Sequence, residues 1–292
     1  MWGRWLASLL LGIAILVLAL PITATQQSGS SNVNDLSMEI TALETLHDLE
    51  LTPAQLSALS KLAKESASKG EHREAAKASP AVTNAFKAFQ AALSKGDDGP
   101  IGDCRQKLDA IMEKEQPELD TDINITDAAR SNAAAALALL SVRQLATYVG
   151  SQELADPAEL LVEGIDQLRT LKDKEREDEL TTLADEVTTL ISGLDGDDKT
   201  REKVVAFLKK AGDIKGDADL AKQKRSLEKA AKQIVGDTTN LDVIGHIAEK
   251  GMAELLSNPR LEAAIRIQSR LARAASSETT RTPPRKTGPS AK

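Results

Sequence analysis

Asp35-Leu36-Ser37-Met38-Glu39-Ile40-Thr41-Ala42-Leu43-Glu44-Thr45-Leu46-His47 sets the pattern for the whole chain. Leu36, Ile40, Leu43 and Leu46 recur at steps of three and four, which gathers them on one face of an α-helix, and the polar residues between them fall on the other. The same spacing returns down the sequence. Leu56, Leu59, Leu62 and Ala63 form a second stripe, Val82, Phe86, Phe89 and Leu93 a third, and Ile101, Cys104, Leu108, Ile111 and Met112 a fourth, so Cys104 is expected to point inward. Later stripes run through Leu161, Ile165 and Leu168, through Leu180, Leu183, Val187 and Leu190, and on to Ile265 and Leu271. No alternating strand pattern exceeds a few residues, and the chain is rich in Ala, Leu, Lys, Glu and Gln, all good helix formers.

Helix ends are marked as well as helix faces. Thr52-Pro53, Ser79-Pro80, Asp156-Pro157 and Asn258-Pro259 each place proline after a capping residue, where its missing N–H costs nothing. Gln55 and Glu159 stand three residues after Thr52 and Asp156, the spacing of a capping box. Gly70, Gly96, Gly150, Gly212 and Gly236 fit helix stops. Starts read against stops predict an all-α array or bundle of about ten helices joined by short loops.

The ends of the chain read differently. Residues 1–24 have the form of a secretory signal peptide: Arg4, an apolar run from Trp5 to Leu20, then Pro21-Ile22-Thr23-Ala24 with cleavage expected after Ala24. That places the mature protein in the periplasm or outside the cell; the alternative is an uncleaved N-terminal helix that anchors it to the membrane. Residues 25–34 read as a flexible leader and 276–292 as a disordered basic tail, with Pro283, Pro284 and Pro289 and no apolar face. The helical domain is expected over 35–275, and the polar stretch after Gly150 leaves open a division into lobes 35–150 and 151–275.

Composition excludes several classes. The chain has 37 Lys and Arg against 44 Asp and Glu, a net charge of −7. Loss of the signal removes Arg4 alone and leaves 36 against 44, or −8. That balance speaks against a nucleic-acid partner, which needs cations to neutralise phosphates. Trp2 and Trp5 leave with the signal, so Phe86, Phe89, Tyr148 and Phe207 are the only mature aromatics. Cys104 is the sole cysteine, so no internal disulfide can form.

Catalytic constellations are thin. His47, His72 and His246 are the only histidines, and no nucleophile motif surrounds any serine. No catalytic residue and no cofactor are expected. Glu44 and His47 form a Glu-x-x-His pair, which puts two metal ligands on one helix face in di-iron bundles; those sites need a second such pair, and none exists here. Asp97-Asp98, Asp195 with Asp197 and Asp198, and Asp213 with Asp217 and Asp219 sit at helix junctions, where they complement the dipole of the next helix.

One motif occurs twice. Leu51-Thr52-Pro53-Ala54-Gln55-Leu56 returns as Leu140-Ser141-Val142-Arg143-Gln144-Leu145. This Leu-Thr-x-x-Gln pattern in a helical exported chain resembles the small periplasmic proteins typified by the Spy chaperone and the CpxP stress-pathway regulator. The resemblance rests on Leu51, Thr52 and Gln55, and on Leu140, Ser141 and Gln144. It implies an all-helical protein that binds a client or sensor in the cell envelope without ATP and without turnover. A structural or adaptor protein of the envelope is the alternative, and a helical metal-binding protein centred on Glu44 and His47 a second one. A membrane contact is expected only through the signal segment, and oligomeric state is left open.

Overall fold

The computed structural model describes residues 32–67, 77–121, 123–150 and 156–279, the side chains of 275–279 excepted. The signal segment, most of the leader, Gly70, His72 and the tail from 280 onward lie outside the described residues. Twelve helices follow one another: α1 Val33–Asp48, α2 Pro53–Ser66, α3 Pro80–Leu93, α4 Asp98–Glu115, α5 Asp127–Leu137, α6 Val142–Gly150, α7 Pro157–Thr170, α8 Asp173–Ser192, α9 Asp198–Gly212, α10 Asp217–Val235, α11 Asn240–Ser257 and α12 Leu261–Thr279. Among the described residues there is no strand, and no helix is long and apolar enough to cross a membrane.

Most of the expected caps are made. The side chains of Thr52, Ser79 and Asp156 accept from the backbone N–H of Gln55, Val82 and Ala158. Two starts differ. Asn258 leads into α12 through a turn, its Oδ1 accepting from the Arg260 N–H at 2.8 Å while Nδ2 donates to the Met38 carbonyl at 2.9 Å, and α12 begins at Leu261. Thr239 with Asp242 makes a full capping box at the head of α11, a start the proline rule misses. α12 also runs on through Ser276, Ser277 and Glu278 to Thr279, past the limit of 275. Gly96 and Gly236 close α3 and α10 at φ of 69° and 63°, values that cost any other residue strain.

The stripes are buried in two apolar clusters. The first joins α1 to α6 with α11 and α12; Leu43, Leu46, Leu56, Phe89, Leu93 and Met252 are among its largest fully enclosed side chains, and Cys104 is half-buried against it. The second belongs to α7, α8, α9 and α10 and centres on Leu161, Ile165, Leu168 and Leu208. α7 and α9 touch each other, and α8 and α10 each pack on both, so α8 and α10 occupy opposite corners. α11 packs on α8 as well as on α5, and the His246 ring nitrogen Nδ1 lies 2.9 Å from the Leu190 carbonyl.

Candidate functional site

The two hexamers meet in the fold. Thr52 caps α2, and the Gln55 side chain reaches back so that Oε1 accepts from the Thr52 backbone N–H at 2.9 Å. Ser141 and Gln144 repeat the arrangement at the head of α6: Ser141 Oγ accepts from the Gln144 N–H at 3.3 Å, and Gln144 Oε1 accepts from the Ser141 N–H at 2.9 Å. Each glutamine then turns its amide nitrogen on the other hexamer. Gln55 Nε2 donates to Gln144 Oε1 at 2.8 Å and to the Leu139 carbonyl at 2.7 Å. Gln144 Nε2 donates to Gln55 Oε1 at 3.2 Å and to the Leu49 carbonyl at 2.9 Å. Leu49 sits just before Glu50, whose φ of 46° turns the chain out of α1.

This lock satisfies backbone groups that helix ends otherwise leave open. Leu51 is buried and Leu140 half-buried beside it, and both line a cavity of about 10 Å³ with Leu49, Leu59, Leu139 and Met252. That is room for one water at most. The six motif residues therefore come together, but as a joint between α2 and α6, with the glutamines turned inward.

The outer side of the joint is another matter. α6 buries only Tyr148, while Val142 is 87% exposed and Leu145 37%. With Leu241 at 76%, these are the only large apolar side chains exposed among the described residues. Arg143 and Glu50, 3.9 Å apart, frame the edge with charge.

Glu44 and His47 do share one face of α1, and α4 supplies a partner for each. Arg105 Nε and Nη2 lie 2.8 and 2.7 Å from Glu44 Oε1, and His47 Nε2 lies 3.1 Å from Asp98 Oδ1. Arg105 also sits 6.0 Å above the Phe89 ring, a cation–π distance. Burial pushes the Glu44 carboxyl above its ordinary value, with Arg105 opposing. Among the described residues no three His, Cys, Asp or Glu side chains cluster as a metal ion requires. The acidic junctions act on helix starts: Asp197 caps α9 through the Thr200 N–H at 3.0 Å, Asp98, Asp198, Asp217 and Asp219 lie in first turns, and Asp213 pairs with Arg176 at 2.7 Å.

A second pair was invisible in the sequence. Tyr148 of α6 is enclosed next to Glu254 of α11, and burial raises both above their ordinary values, with Lys250 pulling Glu254 back. A carboxyl raised on folding stabilises below its unfolded value, here 4.5, and loses that contribution as pH rises through the folded value. Glu254→Gln is accordingly expected to be more stable than the parent at pH 7, and the difference to close as pH falls to about 4. Urea midpoints at the two pH values check it.

A groove of about 440 Å³ runs between α8 and α9. Arg176, Arg201 and Lys209 line it together with Asp173, Glu177 and Asp213. Arg201 is held by Asp185 at 2.6 Å, and the three cations face three carboxylates across the groove. Comparison with family models, with characterised proteins and with solved structures returns no match.

Proposed function

We propose that this chain is an exported helical binding protein that engages a defined protein partner in the cell envelope and catalyses no reaction. The observation that carries the reading is the apolar edge of α6, Val142 and Leu145, which the glutamine lock holds in place while leaving it uncovered. The edge is small and single. A chaperone that accepts many unfolded clients needs broad apolar surface, whereas a sensor or adaptor needs one well-placed anchor. The resemblance of Leu51, Thr52 and Gln55, and of Leu140, Ser141 and Gln144, to the periplasmic Leu-Thr-x-x-Gln proteins supports the same class, and the apolar run of residues 5–20 supports export.

The test is capture from envelope extract by the parent and by Val142→Asp/Leu145→Asp. Both side chains are exposed, so the variant is expected to fold as the parent does, and to lose one discrete partner that the parent retains. Capture that is indifferent to the substitution counts against the reading. If the parent instead suppresses aggregation of an unfolded client at stoichiometric excess, and the variant does not, the α6 edge serves a chaperone. Mass spectrometry of the mature protein is expected to find Thr25 at its amino terminus.

A further inference from the structure

α10 carries Lys222, Arg225, Lys229 and Lys232, at intervals of three, four and three residues, which aligns them along one side of the helix. All four are exposed. They lie opposite Leu220, Leu227, Ala231 and Ile234, which face the second core. Lys222 pairs with Asp219 at 3.1 Å; Arg225, Lys229 and Lys232 have no carboxylate partner among the described residues. Over ten residues the stripe is about 15 Å long.

α8 is its counterpart in sign. Glu175, Asp178 and Glu186 stand exposed on the side away from Leu180, Leu183 and Val187, and none of the three has a cation partner among the described residues. The uncharged Thr182 sits between Asp178 and Glu186, so the three carboxylates stand three and eight residues apart. Faces of opposite sign on two helices attract and can be brought against one another. Within one molecule α8 and α10 each pack on α7 and α9, and both charged faces stay exposed.

We propose that the basic face of α10 docks on the acidic face of α8 in a second copy of this chain. The two patches differ, so the contact is heterologous, and each molecule keeps one face of each sign open for the next. Assembly therefore proceeds head to tail rather than stopping at a dimer. Exposed ion pairs are individually weak and screened by salt, so association depends on concentration and ionic strength.

Sedimentation velocity over a concentration series tests this on the full chain. In about 0.01 M salt the mean mass is expected to rise with concentration past that of a dimer. Raising salt to about 1 M, which shortens the screening length from roughly 30 to 3 Å, is expected to weaken association at least about tenfold. Arg225→Glu/Lys229→Glu/Lys232→Glu, which makes both faces acidic, and Glu175→Lys/Asp178→Lys/Glu186→Lys, which makes both basic, are each expected to be monomeric. Circular dichroism checks that they remain helical, and an equimolar mixture is expected to associate again. A parent that stays monomeric in low salt overturns the proposal, as does an α10 variant that associates like the parent or a mixture that does not associate. Binding of a monomeric parent to phosphatidylglycerol vesicles, lost in the α10 variant, would assign the stripe to an anionic lipid surface instead.

Discussion

Gln55→Ala is expected to lower the free energy of unfolding by about 3 kcal/mol, a large effect for a half-buried polar side chain. The substitution removes the reach-back to the Thr52 N–H, a loss of about 1 kcal/mol. It also leaves the Leu139 carbonyl and the Gln144 amide without the partners that now satisfy them, at about 1–3 kcal/mol. Gln144→Ala is expected to cost about as much, through the Ser141 N–H and the Leu49 carbonyl. Because the two amides bond to each other, the double variant is expected to cost about 1 kcal/mol less than the two single losses together. Urea unfolding of the four proteins measures the coupling. Strict additivity would show that the glutamines act as two separate caps and that the joint is not a unit.

Gly164→Val is expected to cost about 3 kcal/mol, for a reason found at the contact between α7 and α8. A Cβ at Gly164 would lie 2.0 Å from Leu183 Cδ2 and 3.3 Å from its Cγ, and Leu183 is itself buried. A branched side chain there forces Leu183 into an occupied core, and overpacking of that kind costs about 1–3 kcal/mol or more. Leu183→Ala alone is expected to cost about 2–5 kcal/mol through the cavity it leaves. In the double variant the valine fills part of that space, so thermal unfolding is expected to find Gly164→Val/Leu183→Ala more stable than the sum of the single effects predicts. Additive losses would mean that the helices have already moved apart.

What could be read in advance divides along a physical line. The helices, their buried faces and most of their starts depend on residues within about four positions of one another, and Leu36, Leu43, Thr52 and Ser79 therefore behaved as their neighbours dictated. A stripe tells that a face is covered without telling by what. Nothing about Leu261 or Ile265 distinguishes a helix that closes the first core from one that extends the second. The same holds for the motif: both hexamers stood out as helix starts, but Gln55 and Gln144 lie 89 residues apart, and no periodicity connects two amides across that distance. Glu44 and His47 share a helix face as their spacing says, while Arg105 and Asp98, which take up their polar atoms, come from α4. Asn258 combines both kinds: Oδ1 makes the local start signal good by accepting from the Arg260 N–H, while Nδ2 reaches the Met38 carbonyl 220 residues away, which no local pattern foretells.

That long reach has a consequence for the order in which the chain takes shape. Residues 157–235 supply all of α7 to α10 and with them every buried residue of the second core. The first six helices cannot do the same, since their core includes Met252, Leu256, Leu261 and Ile265, among the last helical residues to be made. Closing so long a loop also costs chain entropy before any contact repays it. The second core is thus complete within one contiguous run of chain, while the first stays open along its α11 and α12 side until residues 248–265 are in place.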